Sequence, residues 1–273
     1  MKTMVQPPEV SPQTQYDIDT GVAFKSQDSA SPRTTRNWVR DALNQDTQGF
    51  KKEATSKKNC VRVEYSDGKQ CDFPVFKIEL SNGGERTYYL SSGEEWVASD
   101  PKSMTEWFED TSLTKSPKDD ESQQLRRIVR LFKQYCKTHQ KLKVSKFPSG
   151  LLSTALAVEC YEAAPGRDDL SFKKLLDRLS VRPAELPVIA DGKNVCRSKD
   201  FEKISRVIDK AKQSVIDLNP LDDMENSNDK LAADCWNMVF RHSFFEKISA
   251  ANKEIQQRKS SGSISRPWLP SQS

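Results

Sequence analysis

Three aspartates in the first third of the sequence have the residue type and the spacing of a divalent-cation site. Asp17 and Asp19 are two residues apart in segment 16–24, where β-branched and aromatic residues alternate, and this alternation predicts a strand. Side chains two apart on a strand point to the same face, with about 6–7 Å between their Cα atoms. The two carboxylates can therefore share a cation.

A third carboxylate, that of Asp72, lies within a second predicted strand, 70–80. Strands disfavour aspartate and a buried charge is costly unless compensated, so we expect a positive group beside Asp72. If this strand pairs beside that of Asp17, the three carboxylates converge and can hold two Mg²⁺ ions about 3.5–4 Å apart. Such a pair serves in-line phosphoryl or nucleotidyl transfer, one ion carrying a triphosphate and the other the attacking hydroxyl.

The same aspartates also have an interpretation without chemistry. Asp17 and Asp19 can be turn residues ahead of Thr20, and Asp72 can face solvent on an edge strand that Pro74 interrupts. Spacing alone does not decide between the two interpretations.

The pattern around these residues predicts an α+β protein whose first part is rich in strands. A helix is expected to begin at Ser31 and Pro32 and to end near Thr47. Turn residues at 66–68 and 82–84 separate three consecutive antiparallel strands, predicted at 60–65, 70–80 and 86–90. Asp100 is expected to cap a short helix that carries Met104, Trp107 and Phe108.

The second part of the sequence reads as helices. After the polar stretch 111–121, apolar residues recur at helical spacing in segments around 125–136, 151–161, 172–179, 201–218 and 231–248. We therefore predict a strand-rich palm over residues 1–110, a helical C-terminal lobe over 121–250 and a disordered tail over 251–273.

Composition excludes several classes of protein. A mean hydropathy of −0.75 and the lack of an apolar run near ~18 residues exclude a transmembrane helix in the sequence given. Six scattered cysteines without a CxxC pair favour reduced thiols, and two histidines are too few for a His-based metal cage. Pro7 and Pro8 stand where a signal peptide needs apolar residues, so a cytoplasmic location is expected. The net charge of +4 permits anionic partners.

Several motifs, taken in order, resemble one family. They are YDIDTGV at 16–22, CDFPVF at 71–76, Trp96, Ser99-Asp100-Pro101, Trp107-Phe108, LRRIVRLFK at 125–133 and FPSG at 147–150. Together they resemble the bacterial cGAS/DncV-like nucleotidyltransferases (CD-NTases), which make cyclic oligonucleotide signals in CBASS antiphage defence. In that family a palm of strands bears two aspartates, a neighbouring strand bears a third, and a helical lobe closes over the nucleotides.

The resemblance implies a role for each matching residue. Asp17 and Asp19 would bind both Mg²⁺ ions, and Asp72 would bind the catalytic ion and help to deprotonate the attacking ribose hydroxyl. Lys133 and Ser149 would contact the nucleotide triphosphate. The implied activity is Mg²⁺-dependent synthesis of a cyclic di- or oligonucleotide, such as cyclic GMP-AMP, from ATP and/or GTP.

The resemblance also bears on partners. It implies CBASS accessory and effector proteins and no membrane association. Cys136 and His139 lack a plausible second pair of zinc ligands, so no zinc insertion of the DNA-sensing type is evident and direct activation by DNA is not expected.

The two proposed triphosphate ligands have partial support in the pattern. Arg126, Arg130, Lys133 and Lys137 are spaced i, i+4, i+7 and i+11, which makes a basic stripe that can neutralise phosphate. A solvated helix face is the alternative. Ser149 is a natural N-cap for the helix that it opens, and a helix N-terminus also favours phosphate, so both roles can coexist.

One family feature is missing from the sequence given. A Gly-Ser loop precedes the two aspartates in the family, whereas residues 1–7 look like the segment that follows such a loop. We expect the codons upstream of Met1 to encode Gly-Ser. If they do not, an inactive nucleotide- or nucleic-acid-binding protein with the same fold is the alternative. A nucleotidyltransferase that modifies RNA or protein is a third interpretation.

Overall fold

The computed structural model describes residues 17–141, 147–148, 150–189, 193–194, 200–223 and 228–248. The expected tail, 251–273, lies outside them. The chain divides into two compact units, Met1–Phe108 and Glu109–Ser273. The first contains a seven-stranded sheet and the second is mainly helical, so the predicted α+β class is confirmed.

The sheet of the first unit is organised around one long strand. Its strands are β1 (Asp17–Asp19), β2 (Val22–Lys25), β3 (Thr55–Ser56), β4 (Cys60–Glu64), β5 (Gln70–Leu80), β6 (Arg86–Ser92) and β7 (Glu95–Ala98). Strands β3 to β7 follow one another in antiparallel order, while β1 and β2 both pair with β5 in parallel. The first half of β5 lies between β1 and β4, and its second half between β2 and β6.

The single strand predicted at 16–24 is two strands in the part that the structure describes. Thr20 and Gly21 separate β1 from β2, and the Thr20 amide donates to the Asp72 carbonyl at 2.9 Å. Asp19 pairs with Asp72 and Val22 with Val75, so both strands keep one register relative to β5. The break is therefore a local interruption and does not change the direction of the chain.

The first helix, α1 (Pro32–Leu43), begins as predicted. The Ser31 side chain accepts a hydrogen bond from the Thr34 amide, and Pro32 occupies the first helical position. The helix ends before Thr47 because Asn44 pairs with the backbone of Ala54 through both ends of its amide, at 2.7 and 3.4 Å. A core of Val39, Ala54, Val61, Val63 and Val75 includes residues of α1 and of the sheet.

The remaining helices are α2 (Pro101–Lys115), α3 (Gln124–Lys141), α4 (Gly150–Cys160), α5 (Asp168–Ser180), α6 (Phe201–Leu218) and α7 (Asp229–Phe240). Asp100 caps α2 as predicted, because its carboxylate accepts from the Lys102 and Ser103 amides at 3.1 and 2.9 Å. The sequence predicts that this helix ends before the polar stretch 111–121. In the structure, α2 continues into that stretch and ends at Lys115. A short hairpin, β8 (Val188–Ile189) and β9 (Lys193–Asn194), was not predicted.

The apolar stripe of α3 is buried as its spacing predicts, with Leu125, Ile128, Val129 and Phe132 all at 0% exposure. Arg127, on the same helix, forms two-pronged hydrogen bonds with both Asp120 and Asp168. This network connects the loop before α3 to the start of α5. Among the described helices, none has the length and apolar character that a membrane span requires.

Candidate active site

Two of the three predicted carboxylates occupy directly paired positions on neighbouring strands. In the parallel pairing of β1 with β5, Asp19 stands beside Asp72 and Asp17 beside Gln70. Paired residues on adjacent strands project to the same face, and the strands are about 4.8 Å apart. The expected adjacency of the two strands is therefore observed. The side chain of Asp17 lies outside the described part of the structure.

Asp72 is buried, with 7% of its surface exposed. It pairs with Arg62 across β4 and β5, where Arg62 Nε donates to Oδ1 at 2.7 Å and Nη2 to Oδ2 at 2.6 Å. The expected positive group beside Asp72 is thus Arg62. The alternative of a solvent-facing edge position is wrong, because β5 has a neighbour on each side. Pro74, which has no amide hydrogen, lies where β5 changes neighbours.

The thiol of Cys60 also lies near Asp72. Cys60 lies two residues before Arg62 on β4, hence on the same face, and its thiol is close enough to the Asp72 carboxylate to feel its charge. Burial, followed by the negative charge of Asp72, raises the pKa of the Cys60 thiol to about 12. Cys60 is therefore a neutral thiol at physiological pH and not a nucleophile.

The residues around Asp72 fit a hard divalent cation. Carboxylate oxygens are the ligands that Mg²⁺ prefers, and a carboxylate has about four acceptor positions. The two bonds from Arg62 leave part of this capacity available. In the part of the chain that the structure describes, no three His, Cys, Asp or Glu side chains lie close enough together to hold a metal ion. That part does not include the side chain of Asp17.

The second unit contains one predicted triphosphate ligand beside a helix N-terminus. A Cβ added to Gly150, the first residue of α4, would lie 3.6 Å from Lys133 Nζ. Burial lowers the pKa of Lys133 to about 8. A cation beside the N-terminus of a helix favours an anion there. Ser149 lies outside the described residues, so its predicted role remains a prediction.

The basic stripe on α3 is half-buried along its length. Arg126, Arg130, Lys133 and Lys137 are all of intermediate exposure, and Arg126 donates to the side chain of Gln123. Phosphate binding by the stripe remains a prediction.

Sequence reasoning missed Arg62 and Cys60, although one signal was available. The turn predicted at 66–68 fixes the pairing of the two strands that flank it, and that pairing places Arg62 opposite Asp72. The partner of the buried carboxylate could therefore have been found from the hairpin alone.

Comparison with known proteins gives one family. Residues 1–76 match the family described as Cyclic GMP-AMP synthase DncV-like, nucleotidyltransferase domain. The GTP-bound DncV of Vibrio cholerae is 18% identical, with a TM-score of 0.60 over 87% of this chain. The chain spans only 64% of the length of that protein.

Two further solved structures have the same fold. CdnC of Escherichia coli MS115-1, in a complex with HORMA-deltaN, is 16% identical with a TM-score of 0.59 over 87% of this chain and 81% of its own. CdnG of Bradyrhizobium diazoefficiens, in complex with GTP, is 12% identical with a TM-score of 0.57 over 88% of this chain and 79% of its own. The first 76 residues therefore match the DncV-like nucleotidyltransferase domain family, and the chain has the fold of the CD-NTases, as the sequence motifs implied.

Proposed function

We propose that the protein is a Mg²⁺-dependent nucleotidyltransferase that joins ATP and/or GTP into a cyclic di- or oligonucleotide and releases one pyrophosphate for each bond formed. The observation that carries this proposal is the pairing of Asp19 with Asp72 on adjacent strands, within a domain of the DncV-like family. The GTP found in the DncV and CdnG structures supports the choice of substrates.

The carboxylates have distinct roles in this proposal. Asp17, Asp19 and Asp72 hold the Mg²⁺ ions, which when bound neutralise the triphosphate and activate the attacking hydroxyl. Asp72 also accepts the proton of the ribose hydroxyl. Arg62 is a positioning residue, because its two hydrogen bonds fix the orientation of the Asp72 carboxylate before substrate arrives.

Lys133 and the N-terminus of α4 hold the triphosphate. A lysine whose pKa is lowered to about 8 by burial still carries its charge at pH 7. A phosphate group beside Nζ restores the preference for the charged form that burial reduces. Ser149, the residue that precedes α4 in the sequence, is proposed as a further hydroxyl donor to the triphosphate.

Incubation of the purified chain with radiolabelled ATP and GTP and Mg²⁺ tests the proposal. We expect a product that resists phosphatase because it has no terminal phosphate. An Asp17→Asn/Asp19→Asn variant should lose it, while Asp67→Asn, a change at an exposed turn aspartate of the same unit, should retain it. A product that persists in the double variant would show that the site assignment is wrong.

One observation favours a second candidate, a nucleotide-binding protein without turnover. Arg62 already occupies both oxygens of Asp72, and a guanidinium so placed opposes the approach of a cation. This candidate predicts that ATP or GTP binds and no product forms. Label that becomes attached to RNA or protein would instead identify transfer to a macromolecule.

We further propose that the enzyme acts in the cytoplasm in antiphage defence, with accessory and effector proteins. The HORMA partner in the CdnC structure supports such an assembly. Phage plating efficiency on cells that express the whole operon, with and without Asp72→Asn, measures the proposed role. Equal plating on both strains would contradict it.

A further inference from the structure

A basic cleft lies in the first unit, outside the candidate active site. It has a volume of about 560 Å³, which is within the ~300–1,000 Å³ of typical small-molecule sites. Helix α1, strand β3 and the turn between β6 and β7 form its walls. Asp19, Arg62 and Asp72 are not among the described residues that line it.

The cleft is strongly cationic. Arg33, Arg36 and Arg40 are spaced i, i+3 and i+7 on α1, so they share one face along about 10 Å of the helix axis. Lys57 faces them from the other wall. Of the described lining residues only Glu94 is acidic, and it lies 3.5 Å from Arg33 with both side chains about two-thirds exposed. An exposed pair of this kind is weak and yields readily to a stronger anion.

Arg36 is fixed in the wall of the cleft by contacts with the end of β6 and with the turn that follows it. It is only 4% exposed, and it donates to Ser91 Oγ and to the Gly93 carbonyl, the latter at 2.7 Å. Ser91 in turn donates to the Pro32 carbonyl at 2.9 Å, which ties the turn to the start of α1. These contacts hold the guanidinium at a fixed position in the cleft wall.

The wall also contains polar atoms that the protein itself does not satisfy. Arg36 Nε and Thr55 Oγ1 are buried, and neither has a hydrogen-bond partner within the part of the chain that the structure describes. Burial lowers the pKa of Arg36. Burying a guanidinium with an unused donor is costly, and the negative charge of an anion in the cleft would offset part of that cost through electrostatic attraction.

We propose that this cleft binds a small polyphosphate anion. Arginine side chains match phosphate oxygens through paired N–H groups, and a row of three suits a chain of phosphates better than a single one. No aromatic side chain is present among the described lining residues, so the cleft has no aromatic platform on which a base can stack. The phosphate chain is therefore the recognised group, whether it is free or belongs to a nucleotide.

Calorimetric titration of the full chain tests the site, with tripolyphosphate, pyrophosphate and ATP as ligands and EDTA present to exclude the metal-dependent site. An Arg33→Gln/Arg40→Gln/Lys57→Gln variant should bind tripolyphosphate at least tenfold more weakly, a change of about 1.4 kcal/mol. The matched control Lys25→Gln/Lys69→Gln/Arg86→Gln removes three exposed charges of the same unit that do not line the cleft, and it should bind like the wild type. Arg36 is left intact because its loss could unfold the unit.

Glu94→Gln provides a test in the opposite direction. Removal of the acid that lies among the cations should tighten binding about threefold, since it removes a repulsive charge. A variant that merely perturbs the fold would weaken binding or leave it unchanged, and either result counts against the cleft.

Comparison of tripolyphosphate with ATP shows whether the cleft recognises the phosphate chain itself or a whole nucleotide. Equal affinity for ATP and tripolyphosphate supports recognition of the phosphate chain, whereas binding of ATP alone would overturn it. The proposal also fails if the control variant loses as much affinity as the cleft variant, or if Lys133→Gln removes the binding that the cleft variant retains. Displacement of tripolyphosphate by duplex DNA, with a steep salt dependence that the cleft variant abolishes, would make the cleft a nucleic-acid surface and overturn the small-ligand assignment.

Discussion

Replacement of Arg62 by methionine distinguishes two interpretations of the Arg62–Asp72 pair: part of a metal-binding site, or an ion pair with a structural role only. The Asp72 side chain is 11% exposed and that of Arg62 30%, so the variant leaves a nearly buried carboxylate without its partner. Breaking a fully buried pair costs ~3–5 kcal/mol; because Arg62 retains some access to water, we expect about 2–3 kcal/mol here. In EDTA this corresponds to a fall in Tm of about 5–10 °C.

The addition of Mg²⁺ then gives opposite results for the two interpretations. If Asp72 is a metal ligand, a divalent cation can replace the lost positive charge, and the variant should recover at least half of its loss in Mg²⁺. Mg²⁺ at about a hundred times its Kd stabilises the folded protein by about 2.7 kcal/mol, which is enough for this recovery. The wild type should gain less, because Arg62 already compensates part of the negative charge that attracts the ion.

Two variants control this measurement. Arg86→Met removes an exposed arginine of the same sheet and should leave Tm unchanged with or without Mg²⁺. Arg62→Lys keeps the charge but loses the paired geometry, so its loss should be intermediate. Equal Mg²⁺-induced shifts in wild type and Arg62→Met would refute the idea that the ion replaces the positive charge of Arg62 beside Asp72. An unchanged Tm of Arg62→Met in EDTA would refute the assigned cost of the unpaired carboxylate.

Three further outcomes follow from other contacts. Lys133 should lose its proton near pH 8 in the free protein, so affinity for ATP should fall as the pH rises from 7.5 to 9.5 in calorimetric titrations, and Lys133→Arg should abolish this dependence. Hydrogen bonds from Arg127 lower the pKa of Asp120 to about 2, below the unfolded value of ~3.9, so this stabilisation is complete above about pH 4 and is lost as the pH falls towards 2. The free energy of unfolding, measured with urea, should therefore fall more steeply with decreasing pH in the wild type than in Arg127→Met. Equal slopes in the two proteins would contradict the assignment. Cys60, with its pKa raised to about 12, should react with iodoacetamide at pH 8 far more slowly than a free thiol, and peptide mapping should show faster reaction in Asp72→Asn.

Local signals explain which parts of the fold were predictable. Ser31 with Pro32, Asp100 and the turn at 66–68 act within a few residues of the elements that they begin or join, and each is found as predicted. The bounds of β5, Gln70–Leu80, also agree with the alternation of the sequence. In these places the determinants of structure lie within the segment itself.

The errors occur where distant contacts decide. The end of α1 depends on the pairing of Asn44 with Ala54, ten residues away, and the division of the first strand depends on contacts of Thr20 with β5. The proximity of Lys133 to the start of α4 brings together residues of two different helices. None of these is visible in the periodicity of a single segment, because periodicity reports which face is buried and not what covers it.

The charges of the proposed site indicate when cations should bind. Asp17, Asp19 and Asp72 contribute three negative charges and Arg62 one positive charge, which leaves two negative charges, enough to balance a single divalent ion. A second ion would leave the face positively charged until a triphosphate arrives. We therefore expect one divalent ion to bind the free protein and the second to bind together with ATP or GTP. Equilibrium dialysis with Mn²⁺ as the probe measures this order, and two ions bound tightly without nucleotide would show that Arg62 does not count in the charge balance of the site.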